Sequence, residues 1–240
     1  VAFDGVAFDF CKFEDYHSKT MNINVVSFDA DGTIVKDSYV ERFWFQELPR
    51  LYADKKGIDF SEARETLISH YDEVGDEDIR WYKPEYWFDR LELDKEPGEV
   101  IEKIQVPENV ELYEDAVAVI NELHCDYRLI VTSNAPRIFL EYALREIEDR
   151  FQYIYSCVTD FGEVKKGTGV YKEVAERAEV KAEEMVHVGD HWRFDYQTPR
   201  ELGITTFYID RDGTRTEDDR NILTDLREMA GNIERLVRDR

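Results

Sequence analysis

The sequence predicts an α/β fold, with a mostly parallel sheet covered by helices on both faces and a helical insertion, and three observations carry that prediction. Short apolar runs at residues 25–28, 129–133, 185–188 and 205–209 alternate with helical patterns. This is how a sheet reads when its parallel strands are joined by crossover helices. Three of the runs lead into polar or acidic residues, Asp29, Ser133 and Asp190, and ligands of such sheets bind beyond the carboxyl ends of the strands. The spacing is also uneven: Asp29 and Ser133 stand 104 residues apart, whereas Ser133 and Lys165 are 32 apart. One crossover helix needs only about a dozen residues. Residues 36–106 are therefore free to form an insertion, and residues 21–35 with 107–240 make a Rossmann-like core.

Taken in order, residues 1–20 carry Phe and Val between acidic residues, without the basic start or apolar run of a secretory signal. Val1-Ala2-Phe3-Asp4, echoed by Val6-Ala7-Phe8-Asp9, imitates a strand ending in aspartate, but nothing after it completes a site. Met21 directly precedes the first strand, so residues 1–20 are expected to be a dispensable extension. After Thr33 the pattern turns helical as far as Val106. Tyr39, Phe43, Phe45 and Leu48 make one apolar side, and Pro49 is expected to break or kink it. Asp59 or Ser61 caps a second helix over residues 61–73, with Ala63, Leu67, Ile68 and Tyr71 on one face and Gly75 after it. Residues 79–88 are dense in aromatic rings, which suit the insertion's own small core; a substrate-facing surface is the alternative. A crossover helix at 115–123, a helix at 137–146, a strand at 153–158 and a helix at 170–178 complete the alternation. A charged amphipathic helix is expected over 223–237.

The chain is organised around Val25-Val26-Ser27-Phe28-Asp29-Ala30-Asp31-Gly32-Thr33, a buried-strand run that stops at two carboxylates and a glycine turn. Asp29 is placed to act as nucleophile or metal ligand, and Asp31 to reach a leaving oxygen as general acid and base. An Asx-turn would use the same residues for backbone reasons alone. Composition bounds the partners. With 31 Lys and Arg against 54 Asp and Glu, the net charge of -23 repels nucleic acid and anionic membranes. A small anion still binds if a metal ion and local donors set the field in the pocket. No run of 18 apolar residues occurs, so no membrane span is expected. Cys11, Cys125 and Cys157 form no CxxC pair, which favours reduced thiols and a cytoplasmic location.

Four separated stretches resemble, in order, the motifs of the haloacid dehalogenase superfamily. Asp29-Ala30-Asp31-Gly32-Thr33 resembles its nucleophile motif. Leu129-Ile130-Val131-Thr132-Ser133-Asn134 resembles the second, with Ser133 at the phosphate-binding hydroxyl. Lys165, six residues before Tyr171, stands where the family has its lysine. Val186-His187-Val188-Gly189-Asp190, with Asp195 five residues on, resembles the acidic metal motif. The likeness covers roughly residues 22–210. It implies a core of that family's fold with residues 36–106 as a helical cap, and magnesium-dependent hydrolysis of a small phosphorylated metabolite through an aspartyl phosphate. It also implies roles: Asp29 as nucleophile, Asp31 as acid and base, and Lys165 neutralising Asp29 and the phosphoryl group. Ser133, with backbone amides near Ala30 and Asp31, would hold phosphate. Asp29 and Asp190 would ligate the metal through carboxylates and Asp31 through its carbonyl, with Asp195 as an outer contact. Gly32, Thr33, Asn134, Arg42 and Trp44 are the further residues expected at the substrate. Magnesium suits the charge problem, since a phosphate dianion meets a carboxylate nucleophile only across a divalent cation. Where the family follows its lysine with proline, this chain has Lys166-Gly167-Thr168-Gly169, so Lys166 competes with Lys165 for the role. His187 is read as structural rather than as a ligand.

Within the superfamily Asp31 separates activities. Dehalogenases need no acid for a halide and typically lack it; phosphatases and sugar-phosphate mutases have it. The resemblance therefore favours a phosphatase over a 2-haloacid dehalogenase or a non-catalytic binding protein, with a phosphosugar mutase as runner-up. The cap is expected to set selectivity, with Arg42, Trp44, Arg80 and Trp81 as the first positions to test.

Overall fold

The structure is a computed structural model and describes residues 22–215 and 219–238; the expectation for residues 1–20 lies outside them. Among the described residues, β1 (Val25–Phe28), β2 (Arg128–Ser133), β3 (Tyr153–Ser156), β4 (Met185–Gly189), β5 (Thr205–Ile209) and β6 (Ile222–Leu223) form one sheet, ordered β3-β2-β1-β4-β5-β6. Every pairing is parallel. β1 is central and all four of its residues are buried, which is why it reads as an unbroken apolar run rather than an alternating one. The chain builds outward from β1 on one side, then returns to place β4 on the other. This reversal opens a crevice at the carboxyl ends of β1, β2 and β4.

Alternation along the strands sorts the core into two layers. Val25, Ile130 and Met185 pack under the helix Thr168–Arg177 with its Val170, Tyr171 and Val174. Val26, Leu129, Val131, Val186 and Val188 join the larger cluster on the opposite face. The helices are α1 (Ser38–Arg42), α2 (Leu48–Lys56), α3 (Phe60–Val74), α4 (Pro84–Arg90), α5 (Pro97–Ile104), α6 (Glu114–Leu123), α7 (Arg137–Ala143), α8 (Thr168–Arg177), α9 (Thr198–Arg200) and α10 (Arg227–Arg238). The first six lie between β1 and β2, α6 as the crossover helix and the other five as a helical segment before it. The chain enters and leaves this helical segment side by side: Val35 pairs antiparallel with Leu112, the Lys36 N–H donates to the Glu111 carbonyl at 2.8 Å, and the Tyr113 N–H to the Ile34 carbonyl at 2.9 Å.

The helical segment has its own aromatic packing. Trp87 is fully buried and meets Tyr71 edge-on with centroids 4.7 Å apart, and Phe43, Trp44 and Phe88 pack with them. The aromatic stretch thus divides: Trp87 and Phe88 fill the core, while Trp81 and Tyr82 face a cavity. Asp59 caps α3 by accepting from the Glu62 N–H at 3.0 Å, and Gly75 follows it at φ 74°.

Two expectations are corrected. Pro49 does not break its helix. It sits in the first turn of α2, where a missing N–H costs nothing, and the change of register is absorbed by a π-turn over Phe43–Glu47, in which the Leu48 N–H bonds back to the Phe43 carbonyl. The last helix starts at Arg227 rather than 223, because Ile222–Leu223 pairs with β5 as a sixth strand.

Candidate active site

Asp29 continues β1 by one residue, its N–H donating to the Val188 carbonyl at 2.8 Å. Phe28 is level with Val131 on β2 and Val188 on β4. Ser133 and Asp190, each two residues further along, therefore arrive at the same sheet edge. Beyond Asp29 the chain folds into a compact loop. The Ala30 carbonyl accepts from Ile34 N–H at 2.8 Å and Val35 N–H at 2.9 Å, and the Gly32 N–H donates to the Val35 carbonyl at 2.8 Å.

Of the two lysines, Lys165 is the one that reaches the carboxylates. It is buried, and its ammonium donates to Asp29 Oδ1 at 2.5 Å, Asp195 Oδ1 at 2.6 Å and the Thr132 carbonyl at 3.0 Å. All three of its donors are thereby used. Burial alone would lower its pKa, but the Asp195 and Asp29 carboxylates outweigh that and raise it, so the ammonium stays charged. Its backbone N–H donates to Asn134 Oδ1 at 2.9 Å. Lys166 lies outside, on the Glu77 carbonyl at 2.7 Å.

Asp195 is engaged on both oxygens. Oδ1 meets Lys165 and His187 Nε2, the latter at 3.1 Å, and Oδ2 accepts from the His191 N–H at 3.0 Å. Burial would raise this carboxyl, yet Lys165 and His187 hold it well below the usual carboxylate range. His187 is fully buried, its Nδ1 2.8 Å from Ser27 Oγ, and burial lowers its pKa. The neutral ring acts as a strut between β1 and Asp195.

Three carboxylates, Asp29, Asp190 and Asp195, bring oxygens within 4.8 Å of one another. Burial, with Asp29 and Asp195 close by, pushes Asp190 well above its ordinary value. Crowded acids of this kind are relieved by a cation, and an all-oxygen donor set suits a hard divalent one. Asp195 makes more hydrogen bonds than Asp29, whose Oδ1 meets Lys165. Asp31 is pushed up to about 8, by burial first and then by Asp29 and Asp37, so near neutral pH it carries a proton to give.

Two glycines make the crowding possible. A Cβ on Gly32 would lie 2.2 Å from Asp190 Oδ2, and one on Gly189 2.4 Å from Asp195 Cγ. Gly32 also has φ 69°, a conformation that other residues adopt at a cost. Gly32→Ala is expected to displace Asp190, and a displaced carboxylate should weaken binding of a divalent metal by about 10-fold, the scale on which misoriented ligands act. A titration of the metal requirement checks it; an unchanged midpoint would mean that the close approach has no consequence.

These groups form the floor of a cavity of about 330 Å³, lined by Asp29, Asp31, Ser133, Asn134, Lys165 and Asp190 at one end. The helical segment lines the rest of the cavity with Asp37, Glu41, Trp44, Phe45, Asp76, Trp81 and Tyr82, Asp37 lying close enough to the floor to act on Asp31. Asn134 Nδ2 donates to the Tyr82 hydroxyl at 3.3 Å, so one side chain touches both the lysine loop and the insertion. Of the residues expected at the substrate, Trp44 and Asn134 line the cavity, and Gly32, Thr33 and Arg42 do not. Gly32 contributes by the space it leaves. Thr33 is fully buried. The Arg42 guanidinium is taken by Asn109 Oδ1. Arg80 is likewise absent from the cavity, held by Asp78 at 2.6 Å. Sequence reasoning missed Asp37, Asp76, Tyr82, His191 and Phe194; only Tyr82 carried a signal, by lying in the aromatic stretch.

The comparisons with known proteins agree with this geometry. The chain is 25% identical over 174 residues to the GMP/IMP nucleotidase YrfG of Escherichia coli (strain K12), covering 70% of this chain and 75% of that protein. It is 31% identical over 149 residues to haloacid dehalogenase-like hydrolase domain-containing protein 3 of Danio rerio, covering 59% and 61%. The fold matches the crystal structure of a HAD phosphatase from Thermococcus onnurineus with a TM-score of 0.76 at 24% identity, over 88% of this chain and 97% of that one. Residues 23–203 match the haloacid dehalogenase-like hydrolase family, a span that runs from the first strand to beyond Asp195, and on that match the chain belongs to this family of hydrolases.

Proposed function

We propose that this chain hydrolyses small phosphate monoesters with magnesium as cofactor, Asp29 as nucleophile, Asp31 as acid and base, and residues 36–106 as a cap over the site. The observation that carries the reading is the buried Lys165 ammonium, which holds Asp29 at the floor of the cavity while Asp31 lines the same cavity. Asp29 and Asp190, with the Asp31 carbonyl, would hold the magnesium, which supplies charge neutralisation between the phosphoryl oxygens and the carboxylates. Lys165 fixes the Asp29 carboxylate for in-line attack on phosphorus. Ser133 donates to a phosphoryl oxygen. Asp31 protonates the leaving alcohol, and then takes a proton from the water that cleaves the aspartyl phosphate.

The rest of the cavity lining narrows the substrate. Its walls are aromatic, from Trp44, Phe45, Trp81, Tyr82 and Phe194, and its acids are Asp37, Glu41 and Asp76. The only basic side chain there among the described lining residues is His191, whose Nε2 is 3.2 Å from Asp76. A flat, uncharged leaving group fits these walls; a second phosphate or carboxylate would face like charge. The relative named a GMP/IMP nucleotidase makes purine nucleoside monophosphates the first esters to try. With magnesium, kcat/KM for GMP or IMP is expected to exceed that for a sugar bisphosphate by about 10-fold or more, the like-charge contact costing over ~1.4 kcal/mol. Chelation should abolish turnover and added magnesium restore it. Absence of turnover on any monoester would overturn the reading, and preference for the bisphosphate would overturn the substrate assignment.

A further inference from the structure

We propose that Arg211 is a positioning residue that fixes the loop carrying Asp31 and ties that loop to the base of the helical insertion. The inference rests on the reading of Asp31 as acid and base.

Arg211 lies far from Asp31 in sequence and outside the cavity lining, so it does not touch substrate. It follows β5 in a turn set by Asp210. That residue's N–H donates to the Leu223 carbonyl at 2.7 Å, while its carboxylate accepts from Arg215 N–H at 2.7 Å and Thr214 Oγ1 at 3.2 Å. From this turn the guanidinium reaches the two residues directly after Asp31. Nη2 donates to the Thr33 carbonyl at 2.7 Å, and Nε lies 3.5 Å from the Gly32 carbonyl. Nη1 donates to the Asp115 carboxylate, and the guanidinium carbon sits 3.8 Å from the centre of the Tyr113 ring.

Those partners are themselves anchored. Asp115 also accepts from the Ala116 N–H at 2.9 Å and the Leu226 N–H at 2.8 Å, which fixes the starts of α6 and α10. Tyr113 belongs to the chain segment leaving the insertion, and its N–H donates to the Ile34 carbonyl. One side chain, only 18% exposed, therefore joins the Asp31 loop, the insertion's exit and the start of the last helix. The planar fork is needed for this, because carbonyls and a carboxylate are met on different edges of one rigid group while a ring covers its face. Lysine would keep the charge and lose that geometry.

At saturating magnesium, where a weakened contact of the ion with the Asp31 carbonyl is made good by mass action, the consequence falls on proton donation. If the loop shifts, Asp31 is the reactive group displaced, whereas Asp29 stays on β1 and Lys165. A misplacement of about 1 Å costs on the order of 10²-fold, and the loss should fall on esters whose leaving group needs a proton.

The test compares glycerol 2-phosphate with p-nitrophenyl phosphate, reading the first half-reaction by pre-steady-state release of the leaving group in the magnesium-loaded enzyme. Arg211→Met is expected to slow the glycerol ester about 10²-fold and the nitrophenyl ester less than about 5-fold, with KM little changed. Arg211→Lys, which keeps the charge and guards against a folding failure of the first variant, should show the same split. Asp31→Asn should show it more strongly. The double variant Arg211→Met, Asp31→Asn should be no slower than Asp31→Asn alone, since the arginine acts through that residue. Equal slowing of both esters, no slowing, or multiplied losses in the double variant would overturn the proposal. If Asp31→Asn slows both esters alike, the acid and base reading fails, and the positioning role with it. If Asp31→Asn splits the esters and neither arginine variant does, only the role of Arg211 fails.

Discussion

Asp29→Asn is expected to lower turnover by on the order of 10⁴-fold or more, the scale on which loss of a nucleophile acts, and to leave the fold intact. An amide is neither a competent nucleophile nor an anionic metal ligand. The fold should survive because the Asp29 backbone bond to Val188 and the packing of β1 do not depend on the carboxylate, and the Asn oxygen still accepts from Lys165. Steady-state turnover of p-nitrophenyl phosphate with magnesium, beside a thermal unfolding curve, checks both halves. Magnesium-dependent turnover retained in the purified variant would remove Asp29 as the nucleophile.

Lys165→Met should cost both stability and activity. The ammonium neutralises two carboxylates, Asp29 and Asp195, whose side chains are only 9% and 1% exposed. Removing one partner of a buried pair typically costs ~3–5 kcal/mol. In a chain of this size that lowers the melting temperature by roughly 6–20 °C, at about 2–4 °C per kcal/mol. The loss also has a pH signature. In the wild type Asp195 is held below its unfolded value, so it contributes stability above about pH 4 that is lost as pH falls through its folded value. Without Lys165 the same carboxyl is buried and raised, and it opposes folding increasingly as pH rises above about 4. The gap between wild type and variant should therefore be full near pH 7 and narrow toward pH 4. A gap that is constant with pH would show that the lysine acts through packing alone.

Much of the fold could be read from the chain because its signals are local. A parallel strand buried on both faces is a short apolar run, and β1, β4 and β5 were visible as such. The apolar run that stops at Asp29, Asp31 and Gly32, and the 104-residue gap to Ser133, marked the site's first element and the insertion without any contact information. β6 escaped because two residues carry no periodicity; it exists only where β5 offers an edge. The Pro49 expectation failed for a related reason, since whether proline breaks a helix depends on where the first turn begins.

The site shows the same division. The sequence by itself placed Asp29, Ser133 and Asp190 at strand ends, with Asp31 just beyond, because an apolar run that stops at a polar residue marks where a parallel strand leaves the core, and ligands bind beyond those ends. Only the tertiary structure shows that Lys165 turns inward and Lys166 outward: adjacent residues differ by which way they face, and the Lys165 contact to Asp29 spans more than 100 residues of chain. It alone turned Arg42 and Arg80 away to Asn109 and Asp78, since a charge in the sequence does not say which partner is nearest. It alone brought Tyr82 to Asn134, His191 to Asp76 and Arg211 to the Asp31 loop, for these pairings arise only when the insertion and the last strands pack against the sheet, which no local pattern encodes.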